Sequence, residues 1–213
     1  PDEIFDQVAM LNKQSIEHFD RPLSNIVFMG MGEPMMNYPN VMKAIAKITS
    51  TEGMGMSPRR ITVSTSGIPK MIIKMADEHP RFKLAVSLHS AIEETRNEIM
   101  PFSTSFPLTD LQDSIQYWFS KTKERVTYEY VVWKDINDSA AEIDALVRFC
   151  KKTPSKVNLI EYNPVGNDQF NQANDDAINQ YVSALEKSHI PVTIRRSRGK
   201  DIDAACGQLA NKS

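Results

Sequence analysis

The sequence predicts an α/β domain with a mainly parallel sheet, most simply an incomplete, open β/α barrel. Three observations lead there. Short β-branched runs alternate along the chain with amphipathic stretches of about ten to fifteen residues, and strands separated by helices pair in parallel through crossovers. Six such strands in 213 residues fall short of a closed eight-unit barrel, which takes about 250 residues. Glycine, serine, histidine and asparagine gather just after the predicted strands, on the face that carries ligands in barrels and in open α/β sheets. A doubly wound sheet is the alternative architecture.

The elements follow in order. Residues 2–18 read as a helix, because Ile4, Phe5, Val8, Leu11 and Ile16 recur at three-to-four spacing and Asp2 and Glu3 suit a helix start. Since the alternation then opens with a helix, a strand is expected to precede it. Strands are predicted at residues 25–29, 60–64, 83–88, 126–132, 156–162 and 191–195. Helices are predicted at 39–51, 69–78, 108–121, 140–151 and 175–188, with a short one at 93–100 stopped by Pro101. Past residue 195 the apolar periodicity fades, so residues 197–213 read as a tail on a single domain spanning residues 1–213.

Composition narrows the class. At 41% hydrophobic and 24% charged the chain supports one sizeable core. The 25 Lys and Arg against 27 Asp and Glu give a formal charge of −2, so any contact with nucleic acid has to come from a local patch. No apolar run approaches the roughly 20 residues of a membrane span, and the polar start has no signal-peptide pattern; the reading is cytoplasmic, with no membrane. Cys150 and Cys206 are the two cysteines, which excludes a disulfide framework and an all-cysteine metal site within the chain. The sequence begins at Pro1, which reads as an excerpt or a processed product.

Several residues are candidates for chemistry. Gly30 and Gly32 let backbone approach a ligand, and Glu33, ahead of Pro34, offers a carboxylate suited to an ammonium group; the alternative is a plain glycine turn with a solvated acid. Ser64 and Ser66, with Gly67, are hydroxyl contacts or a helix cap. Ser87 and His89 flank Leu88 and share one face of a strand end, either facing a ligand or as a satisfied structural pair. All 11 methionines lie within the first 100 residues, and Met29, Met31, Met35 and Met36 crowd the Glu33 loop, as soft walls or as core fillers. Arg195, Arg196, Arg198 and Lys200, with Arg59 and Arg60, form a phosphate-contacting rim or a solvated charge run. Cys150 falls in a periodic helix with Leu146, Val147 and Phe149 and reads as core. Cys206, among Ala204, Ala205 and Gly207, is presented as an accessible thiol would be, with a buried, inert cysteine as the alternative.

Five ordered motifs carry a resemblance: residues 25–34 (NIVFMGMGEP), 59–67 (RRITVSTSG), 84–89 (LAVSLH), 158–164 (NLIEYNP) and 197–209 (SRGKDIDAACGQL). Together they resemble the radical S-adenosylmethionine adenosine-C2 RNA methyltransferases, the RlmN-type family with dual specificity for 23S rRNA and tRNA. The resemblance implies a partial barrel of the radical S-adenosylmethionine type with its first strand missing, using S-adenosyl-L-methionine and a [4Fe-4S] cluster. It implies that Cys206 is the catalytic residue, methylated and then the source of the carbon added to C2 of adenine. It places Gly32, Glu33, Ser64, Ser87, Leu88, His89 and Asn163 at the cofactor, and makes 23S rRNA, tRNA and an electron donor such as flavodoxin the partners.

The family's CxxxCxxC cluster motif is absent. The resemblance therefore implies no metal ligand in this chain, cluster cysteines upstream of Pro1 and an inactive chain as it stands. Two further readings stay open: a C8-methylating relative that confers antibiotic resistance, and a non-catalytic RNA-binding or assembly module on the same barrel.

Overall fold

A computed structural model describes residues 1–29, 32–78, 80–163 and 170–196. Among the described residues seven α-helices and six strands follow in order: α1 (Asp2–Phe19), β1 (Ile26–Phe28), α2 (Tyr38–Thr49), β2 (Ile61–Thr65), α3 (Pro69–Asp77), β3 (Lys83–Ser87), α4 (Glu93–Ile99), α5 (Leu108–Thr122), β4 (Val126–Val131), α6 (Ala140–Lys151), β5 (Ser155–Ile160), α7 (Asp175–Lys187) and β6 (Val192–Arg195). Proline at the first turn opens α3, while Ser139 and Asn174 cap α6 and α7 through their side-chain oxygens.

The six strands form one parallel sheet in sequence order. Each strand lies beside its chain neighbour and the order never reverses. That is barrel connectivity, without the switch point of a doubly wound sheet. The register gives the two faces opposite character. Val63 pairs with Leu84, Val86 with Tyr128, Tyr128 with Val157 and Tyr130 with Leu159. All of these are buried in one apolar cluster that also holds Ile45 and Ile48 of α2, Ile72 and Met75 of α3, Leu111, Ile115 and Trp118 of α5, Leu146 of α6 and Leu185 of α7. The other face carries Ser64, Thr127, Glu129, Asn158 and Thr193, one residue out of phase. A closed barrel fills that face with branched apolar side chains; here it is polar, and Asn158 Nδ2 donates to Glu129 Oε1 at 2.9 Å.

The sheet is open but strongly curled. Flat, it would set its edge strands about 24 Å apart, five strand spacings. Yet Arg195 of β6 donates from a guanidinium nitrogen to Met29 Sδ, just past β1, at 3.4 Å. The concave polar face therefore looks onto a mouth at the C-terminal ends of the strands. Among the described residues the outer edge of β1 pairs with nothing. An 860 Å³ groove runs along it, walled by Ile4, Val8 and Leu11 of α1 and by Ile26 and Val27. No helix among the described residues is long and apolar enough to cross a membrane.

Candidate functional site

A second cavity, of 420 Å³, opens at the C-terminal ends of β1, β2 and β3. The larger groove along β1 is mostly apolar, whereas here polar groups from three loops converge. Gly32, Glu33, Ser64, Ser66, Ser87 and His89 line it, with Phe28, Met29, Met100 and Phe102 as apolar walls. The chain thus brings together these six residues, all singled out from the sequence, from positions 32 to 89.

The β1 loop is set by backbone. Gly32 has φ +83° with no atom within 4 Å of where a β-carbon would stand, so glycine serves conformation there, not space. Glu33 then enters a 3₁₀ turn, Pro34–Asn37, and caps it, with Oε1 accepting from the Met35 N–H at 2.9 Å. Its other oxygen, Oε2, accepts from both the backbone N–H and the hydroxyl of Ser66, each at 2.6 Å. Glu33 is therefore not the solvated acid of a plain glycine turn. It is a clamped acceptor that lines the cavity.

The β2 loop supplies the clamp. Thr65 Oγ1 accepts from the Gly67 N–H at 3.0 Å, and Gly67 turns the chain at φ +97°. Helix α3 is capped by Ile68 with no side-chain bond, so Ser66 holds Glu33 and is not a helix cap. Behind it, Arg96 of α4, 1% exposed, donates to Ser66 O at 2.7 Å. Its guanidinium also reaches Met100 Sδ at 3.6 Å, and burial pushes its pKa down to about 10. Sequence reasoning missed Arg96. The one available signal was an arginine at helical spacing between the apolar Ile92 and Ile99.

The β3 loop carries Ser87, Leu88 and His89. Ser87 lines the cavity from the strand end. The Leu88 side chain is fully buried, its N–H donates to Glu129 O at 3.0 Å, and it is not among the residues lining the cavity. His89 has φ +57°, and its Nδ1 accepts from the Val131 N–H at 3.1 Å. The half-buried imidazole meets Trp133 edge-on at 5.5 Å. Burial, then the Arg96 charge, pushes its pKa down to about 3; it is a neutral histidine at physiological pH.

The other candidates lie elsewhere. Asn163 is buried beyond β5, with Nδ2 donating to Glu161 O at 3.5 Å, and is not among the residues lining the 420 Å³ cavity. Cys206 lies outside the described residues, as do Arg198 and Lys200. Cys150 is 3% exposed, and burial pushes its thiol up to about 12, as a core residue requires. The methionines divide: Met29 and Met100 wall the cavity, Met35 is core and Met36 is exposed. Among the described residues the arginines of the expected basic rim do not come together. Arg59 and Arg60 lie in a turn that enters β2, whereas Arg195 ends β6, and in a parallel sheet these are opposite ends. Among the described residues no three His, Cys, Asp or Glu side chains are grouped to hold a metal ion.

No family model matches the chain. Two curated relatives, each a probable dual-specificity RNA methyltransferase RlmN, are 66% identical over 213 residues (Christiangramia forsetii) and 65% identical over 212 (Flavobacterium psychrophilum). Both alignments cover 100% of this chain, and 60% and 61% of the relatives. The crystal structure of a radical SAM methyltransferase from Sphaerobacter thermophilus superposes with a TM-score of 0.92 at 39% identity, over 96% of this chain and 60% of that one. The chain spans about three fifths of the length of the relatives it matches. Over that span, its sequence is similar to curated RNA methyltransferases named RlmN, and its open parallel sheet is similar to that of a radical SAM methyltransferase.

Proposed function

We propose that the chain is the S-adenosylmethionine-binding core of an RNA methyltransferase that methylates C2 of adenosine in 23S rRNA and in tRNA. The observation that carries this reading is the convergence of Gly32, Glu33, Ser64, Ser87 and His89 on one cavity, in a chain 66% identical to a protein named for dual-specificity RNA methylation. The residues fit the cofactor. A 420 Å³ cavity is in the size range of small-molecule sites. The held carboxylate of Glu33 accepts from an ammonium group, the serine hydroxyls and the His89 ring serve a carboxylate or ribose, and thioether and aromatic walls suit a purine. In this reading the Leu88 backbone and Asn163 complete the pocket.

When bound, S-adenosylmethionine supplies an activated methyl group and, with a reduced [4Fe-4S] cluster, a carbon-centred radical. The described residues offer the cluster no ligands, and the sequence has only two cysteines. In this reading its thiolates belong to the part of the full-length protein that this chain does not span, along with docking sites for RNA and for an electron donor such as flavodoxin. What this chain contributes is placement. Glu33 and Ser66 fix one end of the cofactor, His89 donates to it, and the thiol of Cys206 accepts a methyl group and passes the carbon to adenine. An RNA substrate puts the work in the cytoplasm.

The test is on the full-length protein. The peptide containing Cys206, isolated from cells, is expected to carry one added methyl group and the Cys150 peptide none. Cys206→Ala is expected to abolish 2-methyladenosine in 23S rRNA and tRNA while S-adenosylmethionine still binds. Normal 2-methyladenosine in that variant overturns the cysteine-carried route, and 8-methyladenosine as the wild-type product overturns the C2 assignment.

A further inference from the structure

His89 stands at φ +57°, a left-handed conformation that costs a residue with a β-carbon and persists when its surroundings impose it. What imposes it is Asn137, in the turn after β4. Its side chain is completely buried. Its amide nitrogen donates to His89 O at 2.6 Å and to Val131 O at 2.8 Å, while Oδ1 accepts from the Trp133 N–H at 2.7 Å. The reverse amide orientation would aim an oxygen at two carbonyls, so donors and acceptor are fixed by chemistry. Tyr181 of α7 secures the asparagine backbone by donating to Asn137 O. The same strand end that Asn137 ties to His89 provides the Val131 N–H received by His89 Nδ1. An imidazole that accepts at Nδ1 while neutral carries its proton on Nε2, and among the described residues Nε2 has no partner.

We infer that Asn137 is a positioning residue for the site: by locking the β3 loop to the end of β4, it makes His89 a fixed, neutral Nε2–H donor to an acceptor atom of the ligand. The asparagine touches no ligand. It acts through His89, whose proton is already in place before a ligand arrives. Such a donor rejects an ammonium group and takes a carboxylate, a hydroxyl oxygen or a purine nitrogen, the complement of what Glu33 accepts. This rests on the reading of the cavity as the S-adenosylmethionine site.

The test uses the full-length protein with ¹⁵N-labelled histidine. Two-bond ¹H–¹⁵N correlations, assigned with His89→Phe, are expected to show the Nε2–H form in the wild type. Asn137→Ala is expected to convert it to a mixture of tautomers and to weaken S-adenosylmethionine binding about 10-fold, the loss of one well-placed hydrogen bond. His89→Phe is expected to weaken binding similarly, and the double variant no more than either alone, a coupling that general loosening of the fold does not produce. A wild-type His89 protonated on Nδ1 overturns the inference without need of any variant that folds poorly. So does an unchanged tautomer in Asn137→Ala, or an additive double variant. Unchanged affinity in His89→Phe, with the tautomer still dependent on Asn137, overturns the cofactor reading of the cavity and leaves the asparagine's positioning role standing.

Discussion

Replacing Gly67 by alanine tests whether the β2 loop is built as described. At φ +97° an L-residue is strained, which costs about 1–3 kcal/mol. The added β-carbon would also meet Leu111 Cδ1 at 2.9 Å and Cδ2 at 3.3 Å. Leu111 is fully buried in the α5 core, so it yields only by moving off its rotamer, an overpacking cost of about 1–3 kcal/mol. Together these predict a loss of about 2–6 kcal/mol, a drop of roughly 5–20 °C in the unfolding midpoint for a domain of this size. Gly32→Ala is the internal control. Its φ is also positive, at +83°, but it has nothing within 4 Å, so strain alone applies and about half the loss is expected. Circular dichroism melts of the two variants read the difference. Because Gly67 follows the residue that clamps Glu33, Gly67→Ala is also expected to weaken S-adenosylmethionine binding. Equal losses for the two glycines, or a Gly67→Ala midpoint within about 1 °C of wild type, refute the reasoning.

Two further outcomes follow from titrating groups. The folded pKa of His89, about 3, lies below its ordinary 6.5, so the unfolded chain takes up this proton first. The stability it contributes is complete above about pH 6.5 and is lost as pH falls towards 3. Denaturant midpoints at pH 7 and pH 5 are expected to differ less in His89→Gln than in wild type, and an equal difference excludes this histidine as a cause. Cys150, with its thiol raised to about 12, is expected to resist iodoacetamide at pH 8 until the chain unfolds; rapid alkylation of the native protein at Cys150 contradicts its placement in the core.

Periodicity made the fold legible. The runs at residues 60–64 and 126–132 could only be strands, and the order of the pairs follows once every crossover is short. Strand β1 is shorter than its apolar run, Ile26–Phe28 against residues 25–29, because it has a ladder on one side only among the described residues. The division of faces was harder to see. The run 126–132 alternates Tyr128 and Tyr130 outward with Glu129 inward, yet its aromatic and β-branched residues read as uniformly apolar. Arg59, Arg60, Arg195 and Arg196 show a different limit. Composition groups charges by type, whereas a parallel sheet sorts them by whether they enter or leave a strand. Of the site, the glycines and the short polar residues at strand ends were visible because few other residues serve such turns. Arg96 and Asn137 were not, since a buried polar side chain whose work is to hold a neighbouring loop leaves no periodic mark.

Those two residues explain how a shallow, partly open cavity is held in shape. The β1 loop is tied to the β2 loop through Glu33 and Ser66. The β2 loop is tied to α4, which follows β3, through Ser66 and Arg96. The β3 loop is tied to the end of β4 through His89, Asn137 and Val131. Every ligand-facing loop therefore leans on the unit that comes next in the chain, and the sheet's sequential order puts that unit beside it. A doubly wound sheet could not repeat this arrangement across its switch point, because there the next unit lies on the far side. The ties are polar and short, and two of the three use a completely or almost completely buried side chain, Asn137 or Arg96, where an unmade bond is most costly. The cavity's polar groups are thus oriented by the protein itself, and a ligand that binds there meets a carboxylate and an imidazole already set in place.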